Sequence, residues 1–224
     1  MDCLVMRLCG PMQSWGTQSR FRRRDTEREP TKSGVIGVLA AALGMDRSEP
    51  LDRFTSLEMA VRVDREGTYK QEFQTVLDVV TAKGEVAKDP QLSYRSYLSD
   101  ADFTVALEGQ AELIASLHDA LLNARRPLAL GRKSYVPSEP LTRPDWVIRD
   151  TGLMPVLLTL PLRRSTAGED ERVRFVVPDD GGSGEQRHDE PVSFELGARE
   201  FRTRYVRTEF RSAAEFTLEG ADVS

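Results

Sequence analysis

The chain is predicted to be an α+β protein of ferredoxin-like order. Two amphipathic helical stretches interleave with alternating strands as strand, helix, strand, strand, helix, strand, and a long excursion interrupts the middle strand pair. Leu4 to Leu8 alternates loosely with polar positions and stops at Gly10-Pro11, the pattern of a first strand leaving a core. Pro30-Thr31-Lys32-Ser33 opens a helix that gathers Val35, Val38, Leu39, Ala42 and Leu43 on one face, with Thr31 as N-cap and Gly44 as stop. Leu57, Met59, Val61 and Val63 alternate as the inward positions of a half-buried strand, and Phe103 to Leu107 repeats the pattern. Leu113, Ile114, Leu117, Ala120, Leu121 and Ala124 mark the second helix. Pro127-Leu128-Ala129-Leu130-Gly131 follows it and runs into Arg132-Lys133-Ser134-Tyr135.

The excursion, residues 69–99, contains the β-branched run Val76 to Thr81, a turn around Lys83-Gly84 and a polar return through Tyr94-Arg95-Ser96-Tyr97. It reads as a projecting β-hairpin, and so long an insertion between paired strands is usually functional. Beyond Leu153 the chain is β-rich, with strand candidates at Val156 to Leu162, Val173 to Val177, Val192 to Leu196 and Phe201 to Val206. A degenerate second ferredoxin-like half and a β-extension both fit. The segment 178–190 reads as a flexible, acidic loop.

Net charge is −5, against the basic balance usual for nucleic-acid binders, but the charge is unevenly distributed. Arg20 to Lys32 holds six basic residues against three acidic, Arg125 to Arg149 six against two, and Arg199 to Arg211 five against two; Glu169 to Glu190 reverses this with eight acids against three arginines. Steering depends on such local fields. Arginines outnumber lysines 26 to 5, which fits either a GC-rich genome or bidentate phosphate binding. Cys3 and Cys9 lie on one strand with the same parity, so they share a face without meeting, and a reduced, cytoplasmic protein is expected. No apolar stretch approaches the ~20 residues of a membrane span, so no membrane association is expected.

Two places carry candidate binding chemistry. Gln13, Ser14 and Trp15 sit in the Gly/Pro loop after the first strand, where Trp15 either plugs a core edge or stacks on an unpaired base. Arg20, Arg22, Arg23, Arg24 and Arg28 follow and lead to Lys32 and Ser33 at a helix N-terminus, whose exposed N–H groups and dipole favour an anion. Gly131-Arg132-Lys133-Ser134-Tyr135 combines close backbone approach, two cations, a hydroxyl and a ring, which points to a phosphate backbone. The Gly34-x-x-Gly37 pair lets its helix lie close to a sheet or to RNA. Catalysis has little support: His118 flanks the second helix, His188 lies in the acidic segment, and no metal-ligand cluster, phosphate-loop lysine motif, Gly-x-Ser-x-Gly elbow or dinucleotide fingerprint occurs. No catalytic residue, metal or cofactor is expected.

Four stretches taken in order resemble the CasD family (the Cas-five group) of the RAMP superfamily. They are Leu4 through Trp15-Gly16, Pro30 through Gly44, Tyr94 through Leu107, and Leu130-Gly131-Arg132-Lys133-Ser134. Each alone is weak; their joint order is specific, while the C-terminal third is similar only loosely. The resemblance implies a ferredoxin-like (RRM-like) RAMP domain over 1–145 with a thumb at 69–99, and a β-rich region over 146–224. It implies a noncatalytic subunit of the type I-E Cascade antiviral complex that holds the 5′ handle of the CRISPR RNA. Contacts with backbone-forming RAMP subunits and the large subunit follow, and target DNA is met only through the complex. Gln13, Ser14, Trp15, Arg20, Arg24, Lys32, Ser33, Gly131, Arg132, Lys133, Ser134 and Tyr135 are the expected RNA contacts. Val76, Leu77, Val79, Val80, Tyr94, Arg95 and Tyr97 are the expected thumb contacts with base and protein. Two rivals stand beside this: a metal-independent repeat endoribonuclease, as in type I-C, with His118 as base near Lys133 or Tyr135, and a purely structural adaptor.

Overall fold

In chain order the elements are β1 (Asp2–Cys9), β2 (Met12–Gln13), β3 (Arg23–Arg24), α1 (Lys32–Leu43), β4 (Glu58–Arg65), β5 (Thr68–Val76), β6 (Gln91–Ser99), β7 (Asp102–Gly109), α2 (Ala111–Leu122), β8 (Val147–Ile148), α3 (Leu153–Thr159), β9 (Arg172–Pro178), β10 (Glu185–Ser193) and β11 (Glu200–Ser212). The computed structural model describes residues 1–16, 23–80, 84–86, 89–163 and 171–216. One sheet runs β10-β11-β9-β4-β7-β1-β8, and its β8-β1-β7-β4 portion is the ferredoxin-like arrangement the sequence predicts, antiparallel at each pairing. Leu4 faces Leu107, Met6 faces Val105 and Leu8 faces Phe103 across the central ladder. The C-terminal strands extend this same sheet, because β9 pairs with β4 at Val61, Arg62 and Val63.

α1 and α2 cover one face through Val35, Leu39, Ile114 and Leu117. Thr31 caps α1 by accepting from the Gly34 amide at 3.2 Å, and Gly44, at φ +76°, ends it. The opposite face is also covered, by α3, Leu162 and Phe216 over Cys3, Val5, Ala60 and Phe175. This corrects two expectations. Val156 to Leu162 is not a strand: its first residues lie in α3, where Pro155 sits in the first turn and needs no amide partner, and Pro161 follows the last turn. β4 is consequently buried on both faces rather than half-buried. Its polar positions are rescued locally: Arg62 pairs with Asp64 and donates to the carbonyls of Leu157, Leu160 and Pro161, the orphan acceptors at the end of α3.

Three further boundaries move. The strand that completes the ferredoxin-like order is the two-residue β8, while 127–135 is irregular because its glycine turn folds back on Ser14. The acidic segment 178–190 is a short turn held by Asp179, which accepts from the Gly184 amide at 2.7 Å, and then the start of β10 rather than a flexible loop. Val192 to Leu196 therefore straddles the end of β10. Among the described residues no helix is long and apolar enough to cross a membrane.

Cys3 and Cys9 are free thiols. Burial pushes Cys3 up to about 12 and moves Cys9 in the same direction. Since the thiolate is the nucleophile, Cys3 in the native chain is expected to react with iodoacetamide at pH 8 about a thousandfold more slowly than in urea. Equal rates in the two states would contradict its placement under α3.

Candidate nucleic-acid interface

A groove of about 740 Å³ runs along the outward face of α1. It is lined by Ser33, Gly37 and Ala41 of α1, by Gly131 and Lys133 of the glycine turn, and by Phe194, Arg199 and Phe201 of the β10–β11 hairpin. Met45, Asp46, Arg47 and Arg126 also line it. Arg126 pairs with Asp46 at 2.6 Å, and the lining carries the cations Arg47, Arg126, Lys133 and Arg199 beside the single acid Asp46.

Gly131 is required by its backbone. At φ +92° its position is left-handed, and a Cβ there would lie 1.8 Å from the Ser14 carbonyl oxygen. The Ser14 amide in turn donates to Leu130 at 3.1 Å, so the turn and the loop after β1 are locked together. Gly37 differs: a Cβ there meets no atom within 4 Å, so the helix is open to the groove at that point. Gly34 faces inward, where a Cβ would crowd the Trp15 ring at 2.7 Å.

The predicted contacts divide sharply. Lys133 and Ser134 are exposed, Ser33 lines the groove, and Arg24 is exposed on β3; Ser14 borders the groove but is 6% exposed, with its hydroxyl donating to the Ser96 carbonyl at 3.3 Å, so it too is tied into the fold. Arg20 lies outside the described residues. Trp15 is 0% exposed, with its indole N–H donating to Gln13, and the Gln13 amide donates to the carbonyls of Leu8 and Ala101. Both residues are core, which corrects the reading of Trp15 as a base-stacking ring. Tyr135 is 3% exposed, and burial pushes its hydroxyl up in pKa; it too offers no stacking face.

Lys32 is 5% exposed and held by Glu190 at 2.7 Å. Its amide donates to Asp189 at 2.7 Å, and Arg204 grips the same carboxylate through Nε at 2.6 Å and Nη2 at 3.0 Å. The anion expected at the start of α1 is thus the chain's own Asp189, brought in by β10. Glu27 and Glu29 are similarly drawn to Arg187 and Arg174, so Arg23, Arg24 and Arg28 remain exposed against Asp25.

Arg132 also has a different role from the one expected. Its Nη1 donates to the Tyr135 hydroxyl at 2.6 Å and lies 3.7 Å from Glu72, and its Nη2 donates to the carbonyls of Ser96 and Arg24 at 2.9 and 3.3 Å. It therefore pins the root of the β5–β6 hairpin to the Gly131 turn. Tyr97 reinforces that joint, its ring 6.1 Å from Tyr135.

Beyond this root, β5 and β6 pair from Thr68–Ser99 to Val76–Gln91. Opposed residues share a face, so Tyr69, Phe73, Leu92 and Tyr94 form one exposed apolar side, with Phe73 and Tyr94 rings 5.4 Å apart. Glu72, Gln74, Arg95 and Tyr97 occupy the other. Val76, Leu77 and Val80 are exposed near the tip, Val79 is half-buried, and Val80 bridges Val86.

Sequence reasoning missed Arg47, Arg126, Phe194 and Phe201 as groove residues. Arg126 and Arg199 lie within stretches whose basic excess is visible, whereas nothing local marks Arg47 or the two phenylalanines. His118 contacts the Arg143 carbonyl at 2.8 Å and is not part of the groove lining, and His188 meets Thr203. Among the described residues no cluster of three metal-ligating side chains occurs.

Residues 3–207 match the family model described as CRISPR-associated protein (Cas_Cas5). The chain is 36% identical over 156 residues to the "CRISPR system Cascade subunit CasD" of Escherichia coli (strain K12), an alignment covering 63% of this chain and 68% of the relative. It superposes on a chain of a solved "CRISPR RNA-guided surveillance complex" with TM-score 0.83 and 34% identity, over 98% of this chain and 95% of the other. A second solved structure, "Crystal structure of Cas protein", gives TM-score 0.77 and 41% identity over 96% and 98% of the two chains.

Proposed function

Because the chain belongs to the Cas5 family of CRISPR-associated proteins, we propose that it is a noncatalytic subunit of a Cascade surveillance complex that holds the 5′ handle of the guide RNA along the α1 groove. The observation that carries this reading is the meeting of the glycine turn at Gly131, the open helix face at Gly37 and the cations Lys133 and Arg47 in one groove. A phosphate backbone needs such close approach and positive field, and no base-specific donor set. The thumb, with Tyr69, Phe73, Leu92 and Tyr94 along one side, presses on the guide and on a backbone-forming subunit; the remaining exposed surface meets the large subunit. Target DNA is reached through the assembled complex.

The test is retention of labelled repeat RNA by the full chain, in chelator, across a salt series. Binding without cleavage is expected, and Lys133→Ala with Arg47→Ala should reduce the slope of log affinity against log salt by about 1.4, since each phosphate contact on a single strand contributes about 0.7. Metal-independent cleavage at one site would instead support a repeat endoribonuclease. A salt-insensitive or absent interaction would support an adaptor.

A further inference from the structure

We propose that β5 is a self-pairing edge, along which a second copy of this chain adds antiparallel to the first and joins the two thumbs into one sheet. The strand is open on that side. Over its nine residues β5 pairs only with β6, and the ladder runs without a shift from Thr68–Ser99 to Val76–Gln91. Among the described residues no backbone hydrogen bond reaches it from any other segment. On alternate residues its N–H and C=O groups therefore face outward, and a long, regular, unpaired edge is a template for another strand. Thr68, Tyr69, Lys70, Gln71 and Phe73 are all exposed. The edge strand β10 of the main sheet differs: it contains Pro191, its register with β11 shifts twice, and Asp189 ties it to α1. β5 has neither proline nor bulge.

The sequence of β5 identifies the occupant. When two copies pair antiparallel about Gln71, Lys70 of each lies opposite Glu72 of the other, and Tyr69 lies opposite Phe73. Both matches occur twice, once on each side of the two-fold axis, with the ion pairs on one face of the sheet and the aromatic pairs on the other. Neighbouring registers lose them: an axis at Glu72 sets that carboxylate against itself, and an axis at Lys70 opposes two ammonium groups. A lysine on an exposed edge ordinarily repels an incoming strand. Here Glu72, two residues on, is its complement. Lys70 enters no ion pair among the described residues, and the hydrogen bonds that Glu72 accepts from Tyr135 and Gln74 both go to Oε1, which leaves Oε2 for the lysine. Pairing also covers Tyr69 and Phe73, which are 50% and 55% exposed in the single chain. Neither RNA nor another subunit is needed, so free chains are held in pairs, and any partner that takes the thumb draws on the monomer.

Sedimentation equilibrium of the full chain across a concentration series should show a reversible monomer–dimer equilibrium. Lys70→Glu places glutamate opposite Glu72 at both ends of the pairing and should weaken dimerisation about tenfold, and Glu72→Lys should do the same by opposing lysines. An equimolar mixture of the two variants should recover the dimer, because each chain then meets its complement; a variant that had simply lost its fold could not recover in this way. Gln71 lies on the axis, and Cα atoms of antiparallel partners stand about 4.5–5.5 Å apart, within disulfide reach. Gln71→Cys should therefore cross-link to itself under mild oxidation, whereas Gln74→Cys, opposite Thr68, should not. A chain that stays monomeric throughout the series, a dimer indifferent to both charge variants, a mixture that fails to recover, or equal cross-linking at the two cysteine positions overturns the pairing.

Discussion

Replacing Gly131 with alanine is expected to destabilise the chain by about 2–5 kcal/mol, from the left-handed backbone penalty together with overpacking. The position has φ +92°, and a Cβ would lie 1.8 Å from the Ser14 carbonyl oxygen, which is backbone held by its own hydrogen-bonded neighbours. The clash cannot be relieved by a side-chain rotation. Either the turn moves away from the loop after β1, or that loop shifts with Trp15 and Gln13, both of them core. For a chain of this size the loss corresponds to a fall in unfolding midpoint of roughly 5 to 15 °C. RNA affinity should fall in the folded fraction as well, because the turn lines the groove. Thermal unfolding checks the first part; an unchanged midpoint would show that the turn does not pack on Ser14.

Asp189→Ala is expected to cost about 3 kcal/mol, the lower end for breaking a buried ion pair, since the partner Arg204 keeps some solvent contact. The carboxylate accepts from the Lys32 amide and from two nitrogens of Arg204, and it is 3% exposed. Its removal leaves a helix-terminal N–H and a guanidinium unsatisfied at once, and it cuts the tie from β10 to the first amide of α1. Asp189→Asn retains an acceptor for the amide and should lose less. Urea titration of the three proteins orders them, with a lower midpoint at unchanged slope if only stability has changed. If alanine and asparagine were equally mild, β10 would be held by Glu190 and the ladder alone.

These two positions show how differently the site was legible. Gly131 stands out in the sequence because it sits among cations and a ring after a helix, and close backbone approach is a property of the glycine itself. Asp189 does not stand out: it lies in an acidic stretch that reads as solvated, 157 residues from its partner Lys32. The same separation explains why Lys32 and Arg132 read as phosphate contacts. A cation's chemistry is visible locally, but whether an internal carboxylate or carbonyl has already engaged it depends on which strand is folded against it. Arg132 is engaged by Glu72, Ser96 and Arg24, which come from three different strands.

The fold was more readable, for a physical reason. Apolar periodicity, a threonine N-cap and a glycine stop act within one or two turns, so the residues that carry them define α1 wherever the helix ends up. Strand alternation and chain order likewise sufficed for the ferredoxin-like order and its inserted hairpin, but not for the place of the last strand, which is β8 and not the stretch after α2. The run Val156 to Leu162 was ambiguous because a short apolar stretch suits a buried strand or a buried helix equally. Burial on both faces of β4 then followed from the answer, and with it the need for Arg62 to cap α3.

By itself the sequence determined the order and type of the long periodic elements, the thumb-like hairpin, and the glycine that the turn beside the groove needs. Tertiary structure alone decided that β9, β11 and β10 extend the first sheet, that Trp15 and Tyr135 are core, and that Lys133 and Arg47 line the groove while Lys32 and Arg132 are tied into the fold. Local signals are written in neighbouring residues, whereas burial and charge pairing are set by contacts between distant segments, and only the folded chain brings those together.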